Sequence, residues 1–191
     1  ILIMCGIVGI INRKSELVEI EQDNQLFKEL YEGLFHLQHR GQDSVGIELF
    51  ENEHICHLIK KLGLIHNLKE DFHNFTNKQP LCGLGHIRYS TNNGLNDRGE
   101  EYDKLAQIQP IYKKNHSNPY NIHLCHNGHM IIDSKLLNFC KCHNISTIYN
   151  SDSELLYNIF HYLLNLPEIP NLHECSTEMH IVYLNLIINL L

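Results

Sequence analysis

The first forty residues carry two clear hydrophobic patterns. The short continuous run Ile7-Val8-Gly9-Ile10-Ile11 predicts a buried strand over Ile7–Asn12. Further on, leucines recur every three or four positions, which predicts an amphipathic helix that begins after Asp23 and ends near His39. The apolar stripe of that helix is formed by Leu26, Leu30, Leu34 and Leu37.

Further strands are expected between residues 44 and 89. Gly41 would end the helix as a C-terminal glycine, and apolar segments over Ser44–Phe50 and His54–Lys60 predict a hairpin. Leu64–Phe75 has a weak helical pattern, and Leu81–Tyr89 reads as another strand. Strands therefore dominate this part of the chain.

The later part of the chain shows one hairpin signal and one helix signal. A strand over Asn121–His126 would end at Asn127-Gly128, a strong turn dipeptide, and return over His129–Ile132. The segment Ser151-Asp152-Ser153-Glu154 has capping-box spacing, which predicts a helix that runs to about Leu164. Strands with interspersed helices and hairpin turns predict an α+β domain built on antiparallel sheets.

Composition narrows the class of protein. The 191 residues suit one domain with a sizeable core, and 43% hydrophobic and 19% charged residues are typical of a globular chain. The net charge is −7 with both signs mixed along the chain, so we expect no nucleic-acid partner. The apolar stretch His180–Leu191 is too short for a membrane helix, and the N-terminus lacks the order of a signal peptide. We therefore expect a cytoplasmic protein without a membrane partner.

Cysteine and histidine are frequent, with seven and fifteen copies. The cysteine count is odd and the spacing irregular, so we expect reduced thiols and no disulfide framework. The densest candidates for a metal site are Cys140-x-Cys142-His143 and His123-x-Cys125-His126. Neither has the paired C-x2-C spacing of a structural zinc site, so we expect no metal.

The first candidate for chemistry is Cys5, which follows Met4 and precedes the first strand. If residues 1–4 are removed, Cys5 carries a free α-amino group, which titrates close to neutral pH and can take the proton of the thiol. Nucleophile and base would then belong to one residue. The alternative is that Cys5 is a small core residue of an N-terminal strand, and this run alone does not decide between the two.

Five short segments point to a family when they are taken together. In chain order they are Met4-Cys5-Gly6-Ile7, Leu37–Ser44, Gly85–Thr91, His126-Asn127-Gly128 and Ser151–Glu154. Together they resemble class II glutamine amidotransferase domains, which are N-terminal-nucleophile hydrolases. The segment Leu37–Ser44 is most similar to that of the glutamine phosphoribosylpyrophosphate amidotransferases, or amidophosphoribosyltransferases. The resemblance implies a four-layer αββα sandwich of antiparallel sheets.

The resemblance implies a nucleophile and its supporting groups. Cys5 would attack the side-chain amide of glutamine, form a γ-glutamyl thioester and release ammonia. Asn127 and Gly128 would form the oxyanion hole with a side-chain amide and a backbone N–H. Arg40 would position the nucleophile. From the residues alone, Asn127-Gly128 could equally be an ordinary turn, and Arg40 a cation at the end of a helix.

The resemblance also implies how glutamine is held. Arg88 would bind the α-carboxylate through its planar guanidinium, and Asp152 would bind the α-ammonium group. Tyr89 and Thr91 would flank this site. The alternative for Asp152 is an acid at the start of a helix, stabilised by the helix dipole.

Expectations for the ends of the chain follow from the same resemblance. Residues 1–4 would be a leader, either a propeptide remnant or upstream sequence, and residues 5–191 an amidotransferase domain. That domain is recognisable to about residue 164 and atypical over 171–191, as in a C-terminal truncation. The phosphoribosyltransferase domain, with its Mg²⁺ and phosphoribosylpyrophosphate, would be absent, so L-glutamine is the one expected substrate and no cofactor is expected. The full-length protein would be a homo-oligomer.

The function implied is the glutaminase half-reaction of an amidophosphoribosyltransferase. It would supply ammonia for phosphoribosylamine synthesis in de novo purine biosynthesis. Two alternatives stay open from the sequence. The domain could serve another acceptor, such as a sugar phosphate, or the chain could be an inactive truncated remnant that keeps the fold.

Overall fold

The computed structural model describes residues 5–11, 25–51, 54–74, 80–89, 104–113, 122–148 and 151–166. The chain divides into two compact units. The first comprises residues 1–112 with 123–129, and the second comprises residues 113–122 with 130–191. None of the helices in the described ranges has the length and hydrophobicity needed to cross a bilayer.

The first unit is built on a four-stranded antiparallel sheet with strand order β1-β4-β2-β3. The strands are β1 (Gly6–Ile11), β2 (Ser44–Glu51), β3 (His54–Leu62) and β4 (Cys82–Arg88). These four strands and the hairpin of β2 with β3 confirm the predictions to within two residues. The predicted α+β class with an antiparallel sheet is likewise confirmed.

Helix α1 (Gln25–Leu37) covers one face of this sheet. Its apolar stripe lies over β1 and β4, and Leu30 and Leu34 lie close to Gly83 and Gly85 of β4. Alternate residues of β2 belong to the same core, because residues two apart along a strand share a face. The buried residues of this core include Leu26, Leu30, Leu34, Val45, Ile47 and Leu49. The predicted helix is confirmed, and it continues as a 3₁₀ turn over Gln38–Arg40. The expected cap at Asp23 lies outside the described residues.

Gly41 ends the 3₁₀ turn that follows α1, as the sequence predicts. Its φ is −163°, which is extended backbone that any residue adopts. The reason for glycine is space, since a Cβ at this position would lie 2.6 Å from the carbonyl carbon of Arg88. Gly41 therefore allows the chain after α1 to approach the end of β4.

The hairpin predicted around Asn127-Gly128 is wrong. Ile111 and Leu124 form an isolated antiparallel bridge, and residues 129–132 form no strand. The next rung of a ladder would join the backbones of Gln109 and His126. Instead, the N–H of His126 donates to the side-chain Oε1 of Gln109, so the pairing does not extend.

The second unit contains helices α2 (Ser134–Cys142) and α3 (Asp152–Leu164), which share an apolar cluster. Helix α2 was not predicted, although Asp133 is a regular N-cap whose side chain accepts from the N–H of Leu136 at 2.8 Å. The prediction of α3 is confirmed, but its capping box is wrong. Ser151 makes no side-chain cap bond, and Glu154 accepts from Lys113 and from the N–H of Ile148.

Candidate active site

Cys5 lies directly before β1, at the end of the sheet where β4 ends. Gly6 pairs with Ile87, so the antiparallel register brings Cys5 alongside Arg88 and Tyr89. The Sγ of Cys5 accepts from the N–H of Tyr89 at 3.4 Å and lies 3.8 Å from the Tyr89 carbonyl oxygen. A backbone N–H that faces sulfur stabilises negative charge on it, which suits a thiolate nucleophile. Cys5 is also partly exposed, unlike a buried core residue.

The residue after the nucleophile is a glycine for a steric reason. A Cβ on Gly6 would lie 2.9 Å from the Cβ of Leu37, the last residue of α1. Gly6 therefore lets the end of α1 pack against the start of β1. This contact brings the 3₁₀ turn that follows α1 next to Cys5.

Arg40, the last residue of that turn, contacts the backbone of the nucleophile. Its Nε donates to the carbonyl oxygen of Cys5 at 3.0 Å. The sequence left open whether Arg40 is a cation at the end of a helix. Its side chain instead bonds a residue 35 positions earlier in the chain, which fixes the backbone that carries the thiol.

The segment after α1 is fixed by hydrogen bonds, one of which reaches the end of β4. Gln38 bridges two neighbours, since its Nε2 donates to the Gly41 carbonyl and its Oε1 accepts from the N–H of Ile65. The N–H of Asp43 donates to the Arg88 carbonyl at 3.1 Å. The backbone of Arg88 is therefore fixed on the side that faces residues 38–43.

Among the residues that the structure describes, the side chain of Arg88 is hydrogen-bonded to Gln107. Its Nη2 donates to the Oε1 of Gln107 at 3.1 Å, and Gln107 itself is buried. The residue is only partly buried, so the guanidinium is available to a ligand. Tyr89 is 38% exposed and meets Cys5 through its backbone. Thr91, the fourth residue expected in this region, lies outside the described residues.

Asn127 and Gly128, the expected oxyanion hole, are exposed residues of the first unit. They follow His126, whose N–H is held by the Gln109 side chain. Neither residue is hydrogen-bonded to Cys5 among the described contacts. Their part in catalysis stays a prediction.

Asp152, expected to bind the α-ammonium group of glutamine, is the first residue of α3 in the second unit. Its Oδ1 accepts from the N–H of Ser153 at 2.7 Å, and its Oδ2 accepts from the N–H of Met130 at 3.2 Å. The first contact lies at the start of α3, where unpaired backbone N–H groups and the helix dipole favour an acid. The carboxylate is thereby held in place, and its role toward a ligand stays a prediction.

A buried histidine that the sequence analysis did not single out lies in β4. His86 is fully buried, and burial, together with the nearby charge of Arg88, lowers its pKa to about 4. The backbone of His126 lies near the ring and raises this pKa in part. Neither ring nitrogen has a hydrogen-bond partner among the described residues. His86 is therefore a neutral residue that lies two positions before Arg88.

A second buried group of ionisable residues lies on the sheet face opposite α1. Glu48 is fully buried, and its Oε2 lies 2.9 Å from the Nδ1 of His123. Burial and then the charge of Glu48 raise the pKa of Cys125 to about 12, so this thiol is not a nucleophile at neutral pH. Within the described ranges, no three His, Cys, Asp or Glu side chains are grouped so that they could hold a metal ion.

The sequence is similar to that of several curated proteins, although no model of a known protein family matches it. It is 34% identical over 160 residues to the amidophosphoribosyltransferase of Pasteurella multocida, which covers 82% of this chain and 27% of that protein. The same identity and coverage hold over 161 residues for the amidophosphoribosyltransferase of Escherichia coli. That of Schizosaccharomyces pombe is 34% identical over 164 residues, with 84% of this chain and 27% of the relative covered. The chain thus spans about a quarter of the length of these relatives.

The fold is similar to that of a solved structure. The glutamine phosphoribosylpyrophosphate amidotransferase of B. subtilis, in complex with ADP and GMP, matches with a TM-score of 0.53 and 24% sequence identity. The match covers 83% of this chain and 29% of that one. At this identity the structural match supports a similar fold and nothing more. The evidence for homology is the sequence identity with the curated relatives.

Proposed function

The chain is a homologue of the amidophosphoribosyltransferases across 82% of its length, and we propose that it performs the glutamine-hydrolysing half of their reaction. The observation that supports this most is the environment of Cys5. Its sulfur faces the N–H of Tyr89, its carbonyl is held by Arg40, and it lies beside Arg88. A thiol, a donor for its negative charge and a cation for a carboxylate thus lie at one end of the sheet.

The reaction begins with activation of the thiol. Once residues 1–4 are removed, the α-amine of Cys5 takes the thiol proton, and the sulfur attacks the side-chain amide carbon of glutamine. The amide side chain of Asn127 and the N–H of Gly128 stabilise the negative charge on the amide oxygen. The C–N bond then breaks, and the leaving nitrogen takes a proton from the Cys5 ammonium group and departs as ammonia.

The second half of the reaction restores the enzyme. Water attacks the γ-glutamyl thioester while the α-amine of Cys5 takes one of its protons. The C–S bond then breaks, the sulfur takes that proton, and glutamate leaves with the oxygen of that water. Arg88 binds the α-carboxylate through parallel N–H donors, and Asp152 binds the α-ammonium group. Recognition at both charged ends selects a free amino acid over a peptide amide.

The remaining parts of the proposal concern the whole protein. The four-layer αββα sandwich is the architecture we propose for the complete domain, in which the observed sheet is one of the two β-layers. In a protein as long as the relatives, a phosphoribosyltransferase domain would consume the ammonia with phosphoribosylpyrophosphate in purine synthesis. L-Glutamine is the substrate that this chain itself would bind.

The proposal is tested by the mass of the purified chain, its N-terminal sequence and its glutaminase activity. A chain that starts at Cys5 should release glutamate and ammonia from glutamine. Replacement of Cys5 by serine should abolish the activity, whereas replacement of the exposed Cys142 should leave it unchanged. 6-Diazo-5-oxo-norleucine should add once, on the peptide that carries Cys5. The proposal fails if a folded chain that starts at Cys5 is inert to both glutamine and this reagent.

A further inference from the structure

A buried amide lies behind the guanidinium of Arg88. Gln107 is only 8% exposed, and its Oε1 accepts from the Nη2 of Arg88 at 3.1 Å. Its own Nε2 has no partner among the described residues. Burial of an amide whose NH2 group has no partner costs free energy, and the bond to Arg88 offsets part of that cost.

The backbone around Gln107 is fixed independently of Arg88. Gln107 ends a 3₁₀ turn in which its N–H donates to the Lys104 carbonyl. The next residue, Ile108, is fully buried, and the carbonyl of Gln109 lies against Gly46 of β2, where an added Cβ would be 2.0 Å away. The side chain of Gln107 therefore projects from a rigid support.

Arg88 needs such a support because its side chain is long. An unrestrained arginine loses rotamer freedom when a ligand immobilises it, and this loss weakens binding. The backbone of Arg88 is held by Asp43 and Gly41, but these contacts do not orient the guanidinium. Gln107 accepts from one of the five N–H donors of Arg88, and no other described residue accepts from the guanidinium.

We propose that Gln107 is a positioning residue that orients the Arg88 guanidinium toward the α-carboxylate of glutamine. This inference rests on the proposed function, since it takes glutamine as the ligand of Arg88. It adds a residue that acts through Arg88 and does not touch the substrate. Its effect should therefore fall on substrate binding and not on the chemistry at Cys5.

The test is steady-state glutaminase kinetics with the chain that starts at Cys5. Gln107→Met removes the acceptor and keeps the length of the side chain, and it should raise KM for glutamine about tenfold while kcat changes less than about threefold. Gln107→Glu keeps an oxygen at the same place and should restore KM to within about threefold of the parent. Gln25→Met, at an exposed position of α1, is the matched control and should change neither constant.

A double-mutant cycle separates positioning from a general structural role. In the Arg88→Gln background, Gln107→Met should have no further effect on kcat/KM, because the group that it orients is gone. If the methionine variant does not fold, Gln107→Asn withdraws the amide by one methylene and should raise KM in the same way.

The outcomes also separate this inference from the proposed function. If the parent chain hydrolyses glutamine and the Gln107 variants keep its KM, or lose kcat equally with and without Arg88, this inference alone is wrong. If the folded parent chain does not hydrolyse glutamine at all, the proposed function fails and this inference with it.

Discussion

The guanidinium of Arg40 is hydrogen-bonded to the backbone of Cys5, with 3.0 Å between Nε and the carbonyl oxygen. The contact joins the end of α1 to the residue that precedes β1. Because a nucleophile must be held within a fraction of an ångström of its productive position, this bond has a direct consequence for rate.

Replacement of Arg40 by methionine should lower kcat for glutamine hydrolysis by about 10–100-fold, because the Cys5 backbone loses its support. The free energy of unfolding should change little, since Arg40 is only partly buried. Steady-state kinetics and urea denaturation measure the two effects. Lys28→Met removes a cation from the exposed face of α1 and serves as the control. Equal kcat values for the two variants would show that the Arg40 contact is dispensable.

Two glycines of the sheet should respond very differently to alanine. A Cβ on Gly46 would lie 2.0 Å from the Gln109 carbonyl oxygen, whereas on Gly9 the nearest atom would be a Leu84 methyl carbon at 3.5 Å. Backbone cannot move away as a side chain can, so Gly46→Ala should cost about 3 kcal/mol of unfolding free energy or more. Gly9→Ala should cost less than about 0.5 kcal/mol.

Urea denaturation of both glycine variants measures this contrast. The same substitution is made in neighbouring parts of one sheet, so differences in helix or strand propensity largely cancel. Equal midpoints for the two variants would mean that residues 108–109 do not pack on β2 as described. In that case Gln107 would also lose its rigid support.

Periodicity predicted those parts of the fold in which a local pattern and tertiary packing agree. The leucine stripe of α1 faces the sheet, because its spacing marks one face of the helix and packing buries that face. The run before Ile11 forms β1, but the prediction of a buried strand is wrong for one face, since Val8 and Ile10 pack on the core whereas Ile7 and Ile11 are exposed. The hairpin predicted around Asn127-Gly128 does not form, and the N–H of His126 donates instead to the side-chain Oε1 of Gln109. That bond joins residues 17 positions apart, which no local pattern reveals.

The residues of the candidate site were predicted from motifs, and their supports were not. Cys5, Arg40 and Arg88 were named from short segments, and the structure places them at one end of the sheet. Gln107 and His86 were not singled out, because a single glutamine or histidine carries no signal in one sequence. Their significance comes from burial next to Arg88, which only the fold brings about.

The buried His86 should make stability depend on pH. Its folded pKa is lowered to about 4, below the ordinary 6.5 of an unfolded histidine. In acid the unfolded chain therefore takes up a proton that the folded chain excludes. The contribution of the neutral His86 to the free energy of unfolding is complete above pH 6.5 and is lost as the pH falls toward 4. The total loss is on the order of 3 kcal/mol.

The measurement is the unfolding free energy of the parent and of His86→Leu at pH 7.5, 6, 5 and 4.5. The difference between the two chains should shift in favour of the leucine variant as the pH falls, because leucine cannot be protonated. His66→Leu, at an exposed position, is the matched control for removal of one histidine. A parent and a His86 variant with parallel pH curves would contradict a neutral, buried His86.

In the second unit, an ion pair holds the start of α3, and one of its two side chains is much more exposed than the other. The Nζ of Lys113 lies 2.9 Å from the Oε1 of Glu154, and the side chains are 40% and 4% exposed. Lys113→Met leaves the Glu154 carboxylate buried with fewer partners, although the N–H of Ile148 still donates to it. Because water can reach the position of Lys113, we expect a cost of about 1–2 kcal/mol, below that of breaking a fully buried pair.

Thermal and urea unfolding of three variants test this account of the pair. Lys113→Met should destabilise, and Lys113→Met combined with Glu154→Gln should recover part of the loss, because the buried group is then neutral. Lys141→Met, at an exposed position of α2, should stay within about 0.5 kcal/mol of the parent. If Lys113→Met is no more destabilising than Lys141→Met, the pair does not hold the start of α3. The position of Asp152 would then depend on its bonds to Met130 and Ser153 alone among the contacts described.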